Sequence, residues 1–117
     1  MSTERIPDAE LAAVHEHLRE LADNDRDELV SLVGLLVDSL RRAQSGLTAA
    51  AQAGARAGIV AQAHALRGAA AMANLTTIAD IADGLEHEQV PVADVPREVT
   101  RLNAIVEQAI AAVQAMG

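Results

Sequence analysis

A chain of 117 residues fits one domain, residues 1–117, and half of it is hydrophobic, with 26 alanines. The absence of Cys and Lys removes disulfides, thiol nucleophiles, Cys-based zinc sites, Walker A lysines and Schiff bases. No aromatic residue is present to stack on bases, and 9 Arg against 17 acidic residues, a net charge of −8, repel a nucleic-acid backbone.

The punctuation predicts helices throughout, because Ala is the best helix former and long stretches lack Gly and Pro. Pro7-Asp8 opens the first, with Asp8 placed to cap it and Leu11, Val14, Leu18 and Leu21 on one stripe. Asn24-Asp25 breaks it, and Asp25 with Glu28 reads as a capping box opening a second helix. That helix carries Leu29, Leu32, Val33, Leu36, Leu40, Ala43 and Leu47 at helical spacing, and Gly54 and Gly58 bracket the turn after it. A third runs from about Ala57 to Ala73 and stops at Asn74, which tolerates a left-handed backbone. Thr76 or Thr77 caps a fourth, with Ile78, Ile81, Ala82 and Leu85 inward. Val90–Pro96 is a loop, followed by a fifth helix with Val95, Val99, Leu102, Val106, Ala109, Val113 and Met116 on a heptad-like seam. The expected fold is all-α, an antiparallel four-helix bundle with a short additional N-terminal helix. No apolar run approaches the ~20 residues of a membrane span and the N-terminus lacks a signal's apolar core, so the expectation is a cytoplasmic protein with no membrane contact.

Four histidines compete for a role. His15 and His17 lie two apart and face different sides of their helix, so they cannot share a metal. His87 sits near a helix C-terminus, where an imidazolium suits the dipole. His64 differs. At ~100° per residue, Ile59, Ala63, Leu66 and Ala70 form the inward stripe of the third helix, and His64 points ~140° away from its centre. Around it stand Val60, Ala61, Gly68 and Ala71, a bare surface where a solvated face would carry Glu, Lys and Gln, with Arg67 at the edge. Gly68 costs ~1 kcal/mol relative to Ala, which suits close approach of a partner; internal packing against Gly68 is the plainer alternative.

The run Ala63-His64-Ala65-Leu66-Arg67-Gly68, with Asn74 six residues beyond the glycine and Leu85-Glu86 on the next helix, resembles the signature of histidine-containing phosphotransfer (HPt) domains. The likeness covers roughly residues 8–116. Arg67 stands where the family usually has lysine, and Asn74 where it has a second glycine. The resemblance, closest to the phosphotransfer domains of chemotaxis-type kinases, implies that His64 accepts a phosphoryl group and Glu86 helps hold its ring. It also implies a response-regulator receiver domain, a hybrid histidine kinase, or both as partners, with Mg²⁺ and the acceptor aspartate brought by the receiver.

The residue chemistry is compatible with that assignment. Imidazole is nucleophilic near neutral pH, and a carboxylate accepting one ring N–H fixes the tautomer and frees the other nitrogen. Glu86 is the longer of two carboxylates that border the His64 face, Asp83 being the other, and Arg67 can neutralise phosphoryl oxygens. No cofactor or metal is expected, since His87 lies ~100° around its helix from Glu86 and with His64 makes a poor metal set. The chain reads as a phosphoryl carrier, not an enzyme with its own nucleotide site. The competing reading is a non-catalytic helical interaction module, a degenerate domain that binds a receiver without carrying phosphate.

Overall fold

The computed structural model describes residues 4–116, and all regular structure among them is helical. Helix α1 spans Asp8–Leu21, α2 Arg26–Ala53, α3 Arg56–Met72, α4 Thr76–Glu86 and α5 Val95–Gln114, with a 3₁₀ turn at Val92–Asp94 leading into α5. The leading helix, at 14 residues, is longer than α4 at 11, so the short element is α4. Helix α3 packs against both α2 and α4, α2 also packs against α5, and α1 lies against α2 and α5. No helix among the described residues is long and apolar enough to cross a membrane.

Four helices end in the same hydrogen-bonded turn. After α1, α2, α3 and α4 the N–H groups of Asn24, Ala55, Leu75 and Gln89 reach back to the carbonyls of Arg19, Ala50, Ala70 and Gly84. The residue that turns the chain is left-handed each time: Asp23 (φ 53°), Gly54 (63°), Asn74 (61°) and Glu88 (55°). This pattern satisfies carbonyls that a helix end would otherwise leave unpaired. Gly54 and Asn74 act as their residue types predict. Gly58 does not bracket the turn; it lies inside the first turn of α3.

The starts hold two corrections. Asp25 caps α2 as expected, its carboxylate accepting from the Glu28 N–H at 3.0 Å. Asp8, however, is the first helical residue of α1 and makes no cap bond, the boundary position being Pro7. Nor does a threonine cap α4, because Leu75 occupies the boundary position and is fully buried. Glu10 of α1 supplies the oxygens instead. It accepts from the Thr77 N–H at 3.2 Å and from the hydroxyls of Thr76 and Thr77 at 2.9 and 2.6 Å.

The interior is built from Val, Leu, Ile and Ala, and no polar or charged residue is buried among the described residues. The predicted stripes fill it with few exceptions. Leu21 stands 53% exposed, its place taken by Ala22, which is buried just past the end of α1. Leu11, Leu29, Leu32, Ile59, Ile81, Val95 and Met116 pack against the core from a half-buried position. Val99, Leu102, Val106, Ala109 and Val113 of α5 are buried, joined by Ile105 and Ile110.

Candidate functional site

On α3 the burial of Ala63, Leu66 and Ala70, each without exposed surface, fixes the helix rotation and turns His64 outward. Its side chain is 68% exposed. Ala61, Gly68 and Ala71 are exposed beside it and Val60 is half-buried. A Cβ added at Gly68 meets no atom within 4 Å, so this glycine is no internal packing contact. Gly46 behaves differently: a Cβ there would stand 2.5 Å from the Gln62 side chain, so α2 and α3 do approach closely at that point.

On α4 the buried Leu85 fixes the rotation in the same way and sets Glu86 between the two helices, its side chain only 12% exposed. Glu86 Oε2 lies 3.1 Å from His64 Nδ1. Arg67 forks onto the same carboxylate, Nε donating to Oε1 at 2.7 Å and Nη2 to Oε2 at 3.1 Å. Asp83 Oδ1 is 4.0 Å from Arg67 Nε and 3.0 Å from His87 Nδ1, and His87 Nε2 stands 3.7 Å from Glu86 Oε2. The hydrogen bonds from Arg67 hold the Glu86 carboxyl below the usual carboxylate range; burial opposes this, and the hydrogen bond from His64 adds to it. Arg67 is pushed upward by the same pairing.

Chemically, an Nδ1–H donating to Glu86 leaves Nε2 with its lone pair, a nucleophile on an exposed ring. The structure brings His64, Glu86 and Arg67 together and leaves Ala61, Gly68 and Ala71 exposed and Val60 half-buried on the same helix as the imidazole. Arg67 differs in its partner. Its fork is spent on Glu86, with the remaining guanidinium donors left for other acceptors.

Two contacts escaped the sequence reading. His87 bonds Asp83, for which the (i, i+4) spacing was a signal. The pair of Arg56 Nε and Glu88 Oε1 at 2.8 Å depends on the α3–α4 register, which no local pattern reveals. His17 Nε2 donates to the Met72 carbonyl, 3.1 Å away, and His15 Nε2 is buried without a partner, both on α1. No group of three or more His, Asp or Glu among the described residues has the arrangement of a metal site.

No curated protein and no solved structure matches the chain. The family model described as Hpt domain matches residues 31–115, well over half of the chain, starting inside α2 and leaving α1 outside. That span takes in α3 and α4 with His64, Arg67, Asp83, Glu86 and His87, and the chain accordingly belongs to the Hpt domain family.

Proposed function

We propose that this Hpt domain is a phosphorelay intermediate in two-component signalling, carrying a phosphoryl group on His64 between a kinase or receiver aspartate and a response-regulator receiver aspartate. The observation that carries the reading is the 3.1 Å contact of His64 Nδ1 with Glu86, which selects Nε2 as the attacking atom. The Nε2 lone pair forms the bond to phosphorus while the bond from phosphorus to the aspartyl oxygen breaks, its electron pair leaving on the carboxylate. The Nδ1 proton stays between the ring and Glu86, so the charge gained by the imidazole faces a carboxylate. Passing the group to a second aspartate reverses these steps.

Glu86 is a positioning residue here, and Arg67 acts first on Glu86, its remaining donors being available to phosphoryl oxygens. Val60, Ala61, Gly68 and Ala71 form the surface on which the partner seats. Mg²⁺ and the aspartate belong to the receiver domain, and no nucleotide site is assigned to this chain, which is a carrier and not an enzyme. The fold is proposed as the antiparallel four-helix bundle of α2–α5 with α1 added, working in the cytoplasm as a single domain.

The test is incubation with radiolabelled phospho-receiver domains and hybrid kinases of the same genome. The expected label is alkali-stable and acid-labile, and His64→Gln abolishes it while leaving the helical circular dichroism intact. Label retained on His15, His17 or His87 in that variant overturns the assignment. Receiver binding without any label in the unaltered protein points to the non-catalytic module instead.

A further inference from the structure

Two imidazoles face the same oxygen of Glu86. His64 Nδ1 stands 3.1 Å from Oε2, and His87 Nε2 stands 3.7 Å from it. His87 lies just past the end of α4, and its other nitrogen is already committed: Nδ1 is 3.0 Å from Asp83 Oδ1 and 3.0 Å from the Asp83 backbone carbonyl. Both of those oxygens accept, so Nδ1 carries the proton. In the neutral ring Nε2 then has a lone pair turned toward a carboxylate and nothing to donate. In the protonated ring it has an N–H aimed at Oε2, about 0.8 Å beyond an ordinary hydrogen-bond length. The His87 side chain is half exposed, which leaves it room to close that distance.

Oε2 has no room for a third donor. A carboxylate oxygen accepts about two hydrogen bonds, and this one already takes those of His64 Nδ1 and Arg67 Nη2, both at 3.1 Å. Arg67 is the harder to displace, because its Nε also binds Oε1 at 2.7 Å and its charge is permanent. His64 holds on through one nitrogen of an exposed ring. Glu86 stays ionised throughout the neutral range, since the Arg67 hydrogen bonds keep its carboxyl below the usual value. Across Glu86, α3 presents only His64 and Arg67 to this cluster, Arg67 Nε being also 4.0 Å from Asp83, while Arg56 is paired with Glu88. The charged side chains of α5 and its lead-in are engaged elsewhere: Asp94 with Arg97, Arg101 with Glu4 and Glu98, and Glu107 with Arg41. Glu10 of α1 is bonded to Thr76 and Thr77 at the opposite end of α4.

We propose that His87 is a positioning residue that ties the reactivity of His64 to pH: neutral, it leaves Glu86 Oε2 to His64; protonated, it takes that oxygen and releases the imidazole. This rests on His64 being the phosphoryl site. Histidine is the side chain that changes charge near neutral pH, so the exchange falls there. A released ring is free to carry its proton on Nε2, the atom that attacks phosphorus, and phosphorylation slows. Arg67 keeps Glu86 in place in both states, so the two helices stay aligned.

Two variants of the full chain isolate the two states. His87→Ala has no ring to protonate, and His87→Arg is charged at every pH. The position is exposed and beyond the last residue of α4, so both should keep the helical circular dichroism. Phosphoramidate, which needs no partner protein, labels each from about pH 8 to about pH 5.5, and ring ¹⁵N spectra follow His64 over the same range. Each rate is divided by the fraction of neutral His64 read from the spectra, which removes that residue's own titration. The expected ratio of the unaltered protein to His87→Ala is near one at the alkaline end and falls about threefold or more at the acid end, the size of one lost hydrogen bond. The Nδ1–H share of the neutral His64 ring should fall with it. His87→Arg should show the lower rate and the smaller Nδ1–H share at every pH. A constant ratio overturns the proposal, as does an Nδ1–H share that runs alike in the unaltered protein and His87→Ala, or a His87→Arg protein that matches His87→Ala. If no protein takes label from phosphoramidate or from a phosphorylated receiver, the phosphoryl-carrier reading fails, while the ring spectra still decide whether His87 draws Glu86 from His64.

Discussion

Replacing Gly68 by Ala tests whether the bare surface beside His64 exists for a partner or for the fold. In a helix interior Ala is favoured over Gly by about 1 kcal/mol, and the added Cβ at Gly68 meets nothing within 4 Å. The full propensity difference should therefore appear as stability, which for a domain of this size raises the thermal midpoint by about 4 °C. Gly34 on α2 is an internal control, because a Cβ there also meets nothing within 4 Å and it is remote from the His64 helix in the chain. Gly34→Ala should gain the same amount without affecting transfer. Gly68→Leu should fold and melt no lower than the parent, yet block receiver transfer, because its side chain projects into the space a partner must occupy. Melting by circular dichroism and transfer by label uptake read the two effects separately. A fall in midpoint for Gly68→Ala alongside a rise for Gly34→Ala would refute the packing argument, and normal transfer by Gly68→Leu would refute close approach.

Glu86→Ala should shift His64 away from the Nδ1–H tautomer and slow phosphorylation without weakening receiver binding; an unchanged ring ¹⁵N spectrum would reassign Glu86 to a solvated role. Because the Glu86 carboxyl is held below its ordinary value of 4.5, its pairing contributes fully above that pH and is lost only as pH falls through the lowered value. In a ¹³C titration of that carboxyl, the cluster should thus persist at pH 4.5 and come apart below it. Glu10→Ala removes three hydrogen bonds at the start of α4 and should cost about 1–2 kcal/mol in urea unfolding, with a loss under 0.3 (about the size of ordinary scatter) counting against a cap in trans. Asp23→Gly relieves a left-handed backbone at an exposed site and should add about 0.5 kcal/mol by the same assay.

The sequence made the helices legible because their apolar spacing and their Asn and Gly stops are local signals. The rotation of α3 was equally legible: Ala63, Leu66 and Ala70 face inward at helical spacing, so His64 had to face out. Helix ends without a favoured residue were not. Glu88 turns the chain because the hydrogen bond from the Gln89 N–H back to the Gly84 carbonyl outweighs its own preference for other conformations, and Asp23 does the same beside the left-handed Asn24 that the sequence did mark. Partners contributed from another helix were also hidden. Glu10 caps α4 across a gap of 66 and 67 residues, and Arg67 settles on Glu86 because the α3–α4 register brings the two together. Asp83 and His87 pair at (i, i+4) on α4 itself, but the approach of Asp83 to Arg67 follows from that register.

The register itself has a short origin. Only Ala73, Asn74 and Leu75 connect α3 to α4, and Leu75 is buried, so α4 has almost no freedom to slide along α3. A slip of one helical turn, about 5.4 Å, would carry Glu86 out of reach of the imidazole. Apart from the pairing of Glu86 with His64 and Arg67, no polar or charged residue buried among the described residues marks this alignment. The hairpin is therefore the ruler of the site, and the alignment of His64 with its carboxylate is written several turns away, in a three-residue bend. A single inserted residue at Asn74 would break the left-handed turn and the Leu75–Ala70 hydrogen bond that set this alignment, while every site residue kept its neighbours along its own helix. Tuning of the histidine's environment thus has a route that touches neither His64 nor Glu86, through the length and handedness of the bend that folds the two helices together.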